Sequence, residues 1–434
     1  YFPELRETLV EQAKAGITIP RLALDSVVAF LRQYRQPAAR SQFALSADRL
    51  THIDSLSRGA VAAEMTQKIE TDINVQVDSL VDYLSTAYLP APNDSSDGEL
   101  RGIGQYPGGH EYYRYLLRRS TTLDLAPNDL YAYGVREVAR IAGQMAAIRE
   151  QRGFKGSDSA FRAKLRADSH FVVQSPNDFA VRVRRALARM RDSVRSRLGI
   201  EVADSVELVP RESEMFDGAR HVNLRESDAL DPRYRLEYAA ERITRLPAYA
   251  IPALVARELI PGRFALVSAI QRNDSMPTIR QFMRFPGFVD GWAEHARGLA
   301  GELGLYADSH EAYGALMLEL EAAARMVTDL GLHAFRWTHQ QAVRYLRDHS
   351  VDANTAEGDL LRIAVAEPAR AVAAKVGSRE LAGQRAWVRR ELGKAQFDDG
   401  ALQREIFRVG VLPLPLLSQH LTWWVYKLRA GVRS

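Results

Sequence analysis

The chain has 434 residues and no cysteine, and its 58 Lys and Arg against 54 Asp and Glu leave a formal charge of only +4. That length buries an ample core without cross-links, while the missing thiols exclude disulfides, a cysteine nucleophile and cysteine-ligated metal. So even a charge balance gives no electrostatic ground for a nucleic-acid or membrane partner, and no apolar run approaches the roughly 18 residues of a membrane span.

Helical periodicity dominates from end to end, so the expected fold is mainly α: a large helical body around a central groove, with one small β-sheet. Residues 1–95 read as an N-terminal helical section and 96–434 as the main helical domain, the two joined as one continuous structural unit. The turn-rich stretch between them runs from Pro90 to Glu111. Within "YPGGHEYYRYLLRRSTT", Gly108 and Gly109 allow close backbone approach. With Tyr112 they are candidates for a pocket wall, although a turn leading into a core helix explains them equally well. Val138, Ile141, Ala142, Met145 and Ile148 mark the apolar stripe of the next helix.

Three segments read as strands: "HFVVQ" at 170–174, "VELVP" at 206–210 and "ARHVNL" at 219–224. After the first, Ser175 is the expected N-cap of a helix with Pro176 in its first turn and Gly199 at its end. Val183, Leu187, Met190, Val194 and Leu198 form its core stripe, and Arg184, Arg185, Arg189, Arg191 and Arg195 a solvated face. Leu316, Leu320, Ala324, Val327 and Leu330 mark a third long helix. The tail "HLTWWVYKL" at 420–428 reads as core, although an exposed apolar patch there is what a scaffold role would need.

Candidate chemistry gathers in the second half. "VARELIPGRFA", from Val255 to Ala265, places Glu258 where a zinc hydrolase keeps its general base, but Arg257 and Arg263 flank it. A guanidinium has five donors, no acceptor lone pair and a permanent charge, so neither arginine can ligate a cation. "FPGFVDGWAEHARGLAGELG" offers Asp290, Glu294 and His295, with Asp290 and Glu294 four apart on one helix face. Glu321, Arg325, Asp329 and His333 then follow at steps of four. They are either a structural salt-bridge ladder or a pair in which Asp329 orients His333 for proton transfer. No Walker loop, dinucleotide fingerprint or Gly-x-Ser-x-Gly elbow is present.

The order "ELIPG" at 258–262, "DGWAE" at 290–294 and "RMVTDLGLHAFRWT" at 325–338 resembles the bacterial family known as domain of unknown function 885. The likeness runs from "GITIPRLALDSVV" at 16–28 to "FRVGVLPLPLL" at 407–417. It implies a fold similar to the helical zinc carboxypeptidases, a metallopeptidase-like hydrolase ancestry, and a bacterial periplasmic or envelope protein made with an export or lipoprotein signal, so that a part before Tyr1 is missing. Carried over residue by residue, the family's metal-binding histidines fall on Arg257 and Arg263, a further histidine on Phe264 and the acidic ligand on Asp290. The family's tyrosine in the second motif falls on His295. Its Tyr-Lys-x-Gly reads Ala374, Lys375, Val376, Gly377, and a later Phe-His is lost around Leu402. Arg325, Asp329, Gly331, His333 and Trp337 keep the pattern.

The resemblance thus implies a degenerate zinc site: zinc expected of the family, absent here, and no other cofactor. Without a dication, buried Glu258 and Asp290 would repel one another. Arg257 and Arg263 are expected to restore the balance by forked pairs with Asp290 and with Glu258 or Glu294. The leading expectation is a pseudoenzyme whose groove binds a peptide-like or carboxylate ligand, or a protein partner, through Arg257, Arg263, Asp290, Glu294, Arg325, Tyr112 and Lys375. Its rivals are a hydrolase or transferase of altered mechanism using Glu258, His295, Asp329 and His333, and a scaffold subunit.

Overall fold

Residues 1–88, 100–200, 206–211, 222–226, 233–350 and 352–431 are described by a computed structural model, in which the chain divides into two compact units, Tyr1–Gly109 and His110–Ser434. In the first unit, α1 (Phe2–Lys14), α2 (Arg21–Arg32) and α3 (Asn74–Asp82) share a small core of Leu9, Val28, Leu31, Val77, Leu80 and Val81. These apolar positions recur at helical spacing, so each helix buries one stripe and leaves its charges outside.

The second unit carries the site. It opens with α4 (Gly109–Thr121) and α5 (Pro127–Gln151); Val138, Ile141 and Met145 of α5 are buried, but Ala142 is exposed. Helix α6 (Pro176–Leu198) has the predicted limits. The Ser175 hydroxyl accepts the Asp178 N–H at 3.1 Å, Pro176 sits in the first turn, and Gly199 closes the helix with φ of 60°, which glycine adopts without Cβ strain.

The sheet differs from expectation. "HFVVQ" is not a strand: Ser169–Phe171 forms a 3₁₀ turn and Val172 makes a single bridge to Pro247. The strands are β1 (Glu207–Arg211), β2 (Val222–Arg225) and β3 (Arg235–Ala239), in the order β1-β3-β2, with β3 parallel to β1 and antiparallel to β2. Residues 219–221 of the third predicted strand lie outside the described residues, as do residues 90–99 of the expected linker. The central strand was not anticipated. Its Leu236 and Tyr238 are buried while Arg235 and Glu237 are not, a period of two too brief to stand out beside charged neighbours.

After the sheet come α7 (Ile251–Glu258), α8 (Arg263–Gln271), α9 (Pro286–Glu302), α10 (Ser309–Ala334), α11 (Ala356–Leu361) and α12 (Arg370–Gln396). Helix α9 is buried almost all round and lies along α12. The two backbones meet where each carries glycine. A Cβ on Gly377 would stand 1.7 Å from the Gly287 carbonyl oxygen, and one on Gly291 would stand 2.6 Å from the Gly377 Cα. Helix α10 packs on α5 and buries Leu320, Ala324, Val327 and Leu330. Two closing helices, α13 (Asp399–Val409) and α14 (Leu414–Arg429), complete the unit. Within the tail segment Leu421, Trp424 and Val425 are core, whereas Trp423 and Tyr426 are exposed.

Candidate functional site

The turn between α7 and α8 brings Glu258 and its flanking arginines together. It contains a cis Ile260–Pro261 bond, and Gly262 lies so close to the end of α7 that a Cβ there would stand 1.9 Å from the Arg257 carbonyl oxygen. Buried Trp292 of α9 donates its indole N–H to the Pro261 carbonyl at 2.9 Å. The motif "DGWAE" therefore fixes the turn with its tryptophan while Asp290 and Glu294, one helical turn apart, face the arginines.

These residues belong to a continuous string of alternating charge. Arg297 Nη2 lies 2.5 Å from Glu294, which accepts from Arg257 Nε at 2.6 Å. Arg257 also contacts Glu258 through Nη1. Glu258 accepts from Arg263 Nε at 3.2 Å, and Arg263 Nη2 reaches Asp290 at 2.6 Å. The other Asp290 oxygen accepts from Arg370 Nε at 2.9 Å. Arg370 then pairs with Glu367, Glu367 with Arg362, Arg362 with Asp359, Asp359 with Arg325 and Arg325 with Glu321, at 3.2, 2.7, 3.2, 2.8 and 2.9 Å. Arg257 and Arg263 each span two carboxylates instead of clasping one in the forked manner expected. A guanidinium with donors pointing in several directions suits such bridging.

The string surrounds a cavity of about 150 Å³ lined by Arg257, Arg263, Arg297, Arg325, Arg362 and Arg370 and by Glu258, Asp290, Glu294, Glu321 and Glu367, with Val222, Leu224, Leu254 and Ala374 on its apolar side. Burial alone would raise the carboxyl pKa values. Arg297 and Arg257 outweigh it and hold Glu294 at about 2, and Arg263 and Arg370 hold Asp290 well below the usual carboxylate range. Arg257 is pushed below the ordinary arginine value by burial, against the pull of Glu294. Two buried donors, Arg297 Nη1 and Arg362 Nε, have no hydrogen-bond partner among the described residues. Among those residues no group of three or more His, Asp or Glu is placed to hold a metal ion.

The remaining sequence candidates lie elsewhere. Asp329 is fully buried; one oxygen accepts the Tyr113 hydroxyl at 2.6 Å and the Ala369 N–H at 3.1 Å. Burial raises its pKa to about 7, against those hydrogen bonds. Ala369 has φ of 68°, unusual for a residue with a Cβ, and it precedes Arg370. Asp329 is thus a positioning residue that fixes the start of α12 and so the reach of Arg370 to Asp290. His333 stacks on Tyr113 with ring centroids 4.9 Å apart, and its Nε2 lies 3.1 Å from the Ile363 carbonyl oxygen. Burial lowers its pKa to about 4. Neither Asp329 nor His333 lines the cavity. Arg325 uses Asp359 where the spacing in sequence had pointed to Asp329. Tyr112 is exposed and stacks on Tyr115.

His295 and Lys375 line a second, larger cavity of about 990 Å³ among α5, α9, α10 and α12, which shares Glu294 and Arg297 with the first. Burial and the nearby Arg385 charge lower the His295 pKa to about 4. Buried Lys375 Nζ lies 3.1 Å from Glu137 and 3.2 Å from Glu319. Sequence reading missed Arg297, Asp359, Arg362, Glu367 and Arg370, although Glu294–Arg297, Asp359–Arg362 and Glu367–Arg370 each show the acid-x-x-Arg spacing of a local helical or near-helical pair.

Among solved structures the chain is similar to a putative lipoprotein from Colwellia psychrerythraea, with a TM-score of 0.84 and 20% identity over 98% of this chain and 74% of that one. It is also similar to a putative lipoprotein of unknown function from Shewanella oneidensis, with a TM-score of 0.70 and 18% identity over 94% of this chain and 74% of that one. At these identities the likeness is one of fold. No curated protein matches the chain. The family model described as "Bacterial protein of unknown function (DUF885)" matches residues 1–421, and with a match of that extent the chain belongs to the DUF885 family.

Proposed function

We propose that the protein is a non-zinc homologue of a metallopeptidase-like hydrolase whose former active-site cavity binds the carboxylate of a small or peptide-like ligand. One observation carries this reading. Arg362 Nε is buried without an acceptor among the described residues, on a residue that lines the cavity together with five other arginines. An unpaired buried guanidinium donor calls for an anion, and a carboxylate is the planar partner it fits. The donor set does not suit a zinc ion: Arg257 and Arg263 offer no lone pair, and Glu258, Asp290 and Glu294 are already held by guanidiniums. The same pairing disfavours Glu258 as a general base, because taking up a proton would cost it two charge-assisted contacts. The names of the two similar structures support placement in the bacterial cell envelope.

Calorimetric titration with short peptides tests the reading. A peptide with a free C-terminal carboxylate is expected to bind, its C-terminal amide at least tenfold more weakly, and Arg362→Gln is expected to remove the difference. Equal affinity for acid and amide would refute carboxylate recognition.

A further inference from the structure

Asp329 and His333 hold the two ends of one short segment. His333 Nε2 lies 3.1 Å from the Ile363 carbonyl oxygen, and one Asp329 oxygen accepts the Ala369 N–H at 3.1 Å. Tyr113 of α4 braces both, stacking on the imidazole and donating its hydroxyl to the same Asp329 oxygen. The chain held between these points, with the residue on either side, supplies Arg362, Glu367 and Arg370 to the wall of the arginine-lined cavity.

The two Asp329 oxygens are unlike. One takes the hydrogen bonds from Tyr113 and Ala369, while Oδ2 is buried and has no hydrogen-bond partner among the described residues. A buried, unpaired carboxylate oxygen is costly unless a proton or a cation compensates it. Among charged groups Arg362 acts on Asp329 most, yet burial prevails and raises the Asp329 pKa to about 7. The other ionisable groups around it do not change charge in this range. Burial and the Asp329 charge push Tyr113 well above its ordinary value, and burial holds His333 at about 4. On the same helix Arg325 is taken by Glu321 and Asp359, and Arg140 of α5 meets Glu319. In the cavity lining the neighbouring arginines keep Asp290 and Glu294 ionised.

We propose that ligand capture in the arginine-lined cavity is coupled to a proton on Asp329: the cavity holds a carboxylate more tightly while Asp329 is neutral than after it has ionised. The inference rests on the carboxylate reading given above. An ionised Asp329 and a bound carboxylate draw on the same Arg362 charge, so each weakens the other. By linkage the bound ligand strengthens the hold of Asp329 on its proton. Affinity is therefore highest below neutral pH and falls as pH rises through about 7.

The test is isothermal titration of the whole protein with an N-acetylated peptide whose C-terminal carboxylate is its only ionisable group. It is run at pH 5.5, 7 and 8.5, each in two buffers of different ionisation enthalpy. Affinity is expected to fall about tenfold from pH 5.5 to pH 8.5, an ordinary size for coupling between two sites. At pH 7 the complex is expected to take up a fraction of a proton, which is read on the parent protein without any substitution. Asp329→Asn is expected to keep the low-pH affinity throughout and to take up no proton. Binding that is the same at all three pH values, or that varies with pH equally in Asp329→Asn, would overturn the coupling and leave the carboxylate reading standing. Absence of binding at every pH would overturn both.

Discussion

Asp290→Ala is expected to lower the melting temperature by roughly 6–10 °C. Asp290 is almost fully buried and is the acceptor for both Arg263 and Arg370. Removing it leaves Arg263, largely shielded from water, without one of its two partners, and it breaks the charge string at its middle. Loss of one partner of a buried pair costs about 3–5 kcal/mol, and the half-exposed Arg370 belongs at the lower end because water can solvate it. In a large domain each kcal/mol corresponds to roughly 2 °C. The loss is expected to shrink near pH 2. Asp290 and Glu294 have folded pKa values below their ordinary ones, so they contribute stability above about pH 4.5 that disappears as protons bind at lower pH. Differential scanning calorimetry of parent and variant at pH 7 and pH 2.5 checks both parts, and a variant that melts with the parent at pH 7 contradicts the pairing.

Asp329→Asn is expected to flatten the pH dependence of stability between about pH 4 and pH 8. The sign is opposite to that of Asp290. Burial raises the folded pKa of Asp329 from 3.8 to about 7, so its contribution is fully present below the ordinary value and is lost as pH rises through 7. At about 1.4 kcal/mol for each tenfold change in proton concentration, that range corresponds to on the order of 4 kcal/mol. The amide oxygen of asparagine can still accept from Tyr113 and from Ala369, so the start of α12 should hold. The variant is expected to gain several degrees on the parent in moving from pH 4.5 to pH 8. Parallel melting curves across this window would mean that Asp329 ionises normally.

Much of this architecture was legible in sequence wherever the determinants are local. Ser175, Pro176 and Gly199 set the ends of α6 through contacts within a few residues, and its apolar stripe faces the core as spaced. Charge pairing followed the same rule. Glu321–Arg325 lies on one helix and appears as expected, but the next step is made to Asp359, which tertiary packing brings alongside. Asp329, four residues on, is drawn into the core by Tyr113 and Ala369. His295 adjoins Glu294 in sequence, yet consecutive helical residues point about 100° apart, which places the imidazole on the second cavity only. The two cavities could not be read from any local pattern, because each is walled by helices far apart along the chain.

We propose that this site, within its continuous string of ion pairs, holds an anion in place of a metal. Calorimetric titration of zinc into chelator-treated protein at pH 7 tests it most directly. No saturable zinc binding is expected in the natural chain. One tightly bound zinc per chain, abolished by Glu258→Gln, would contradict the account.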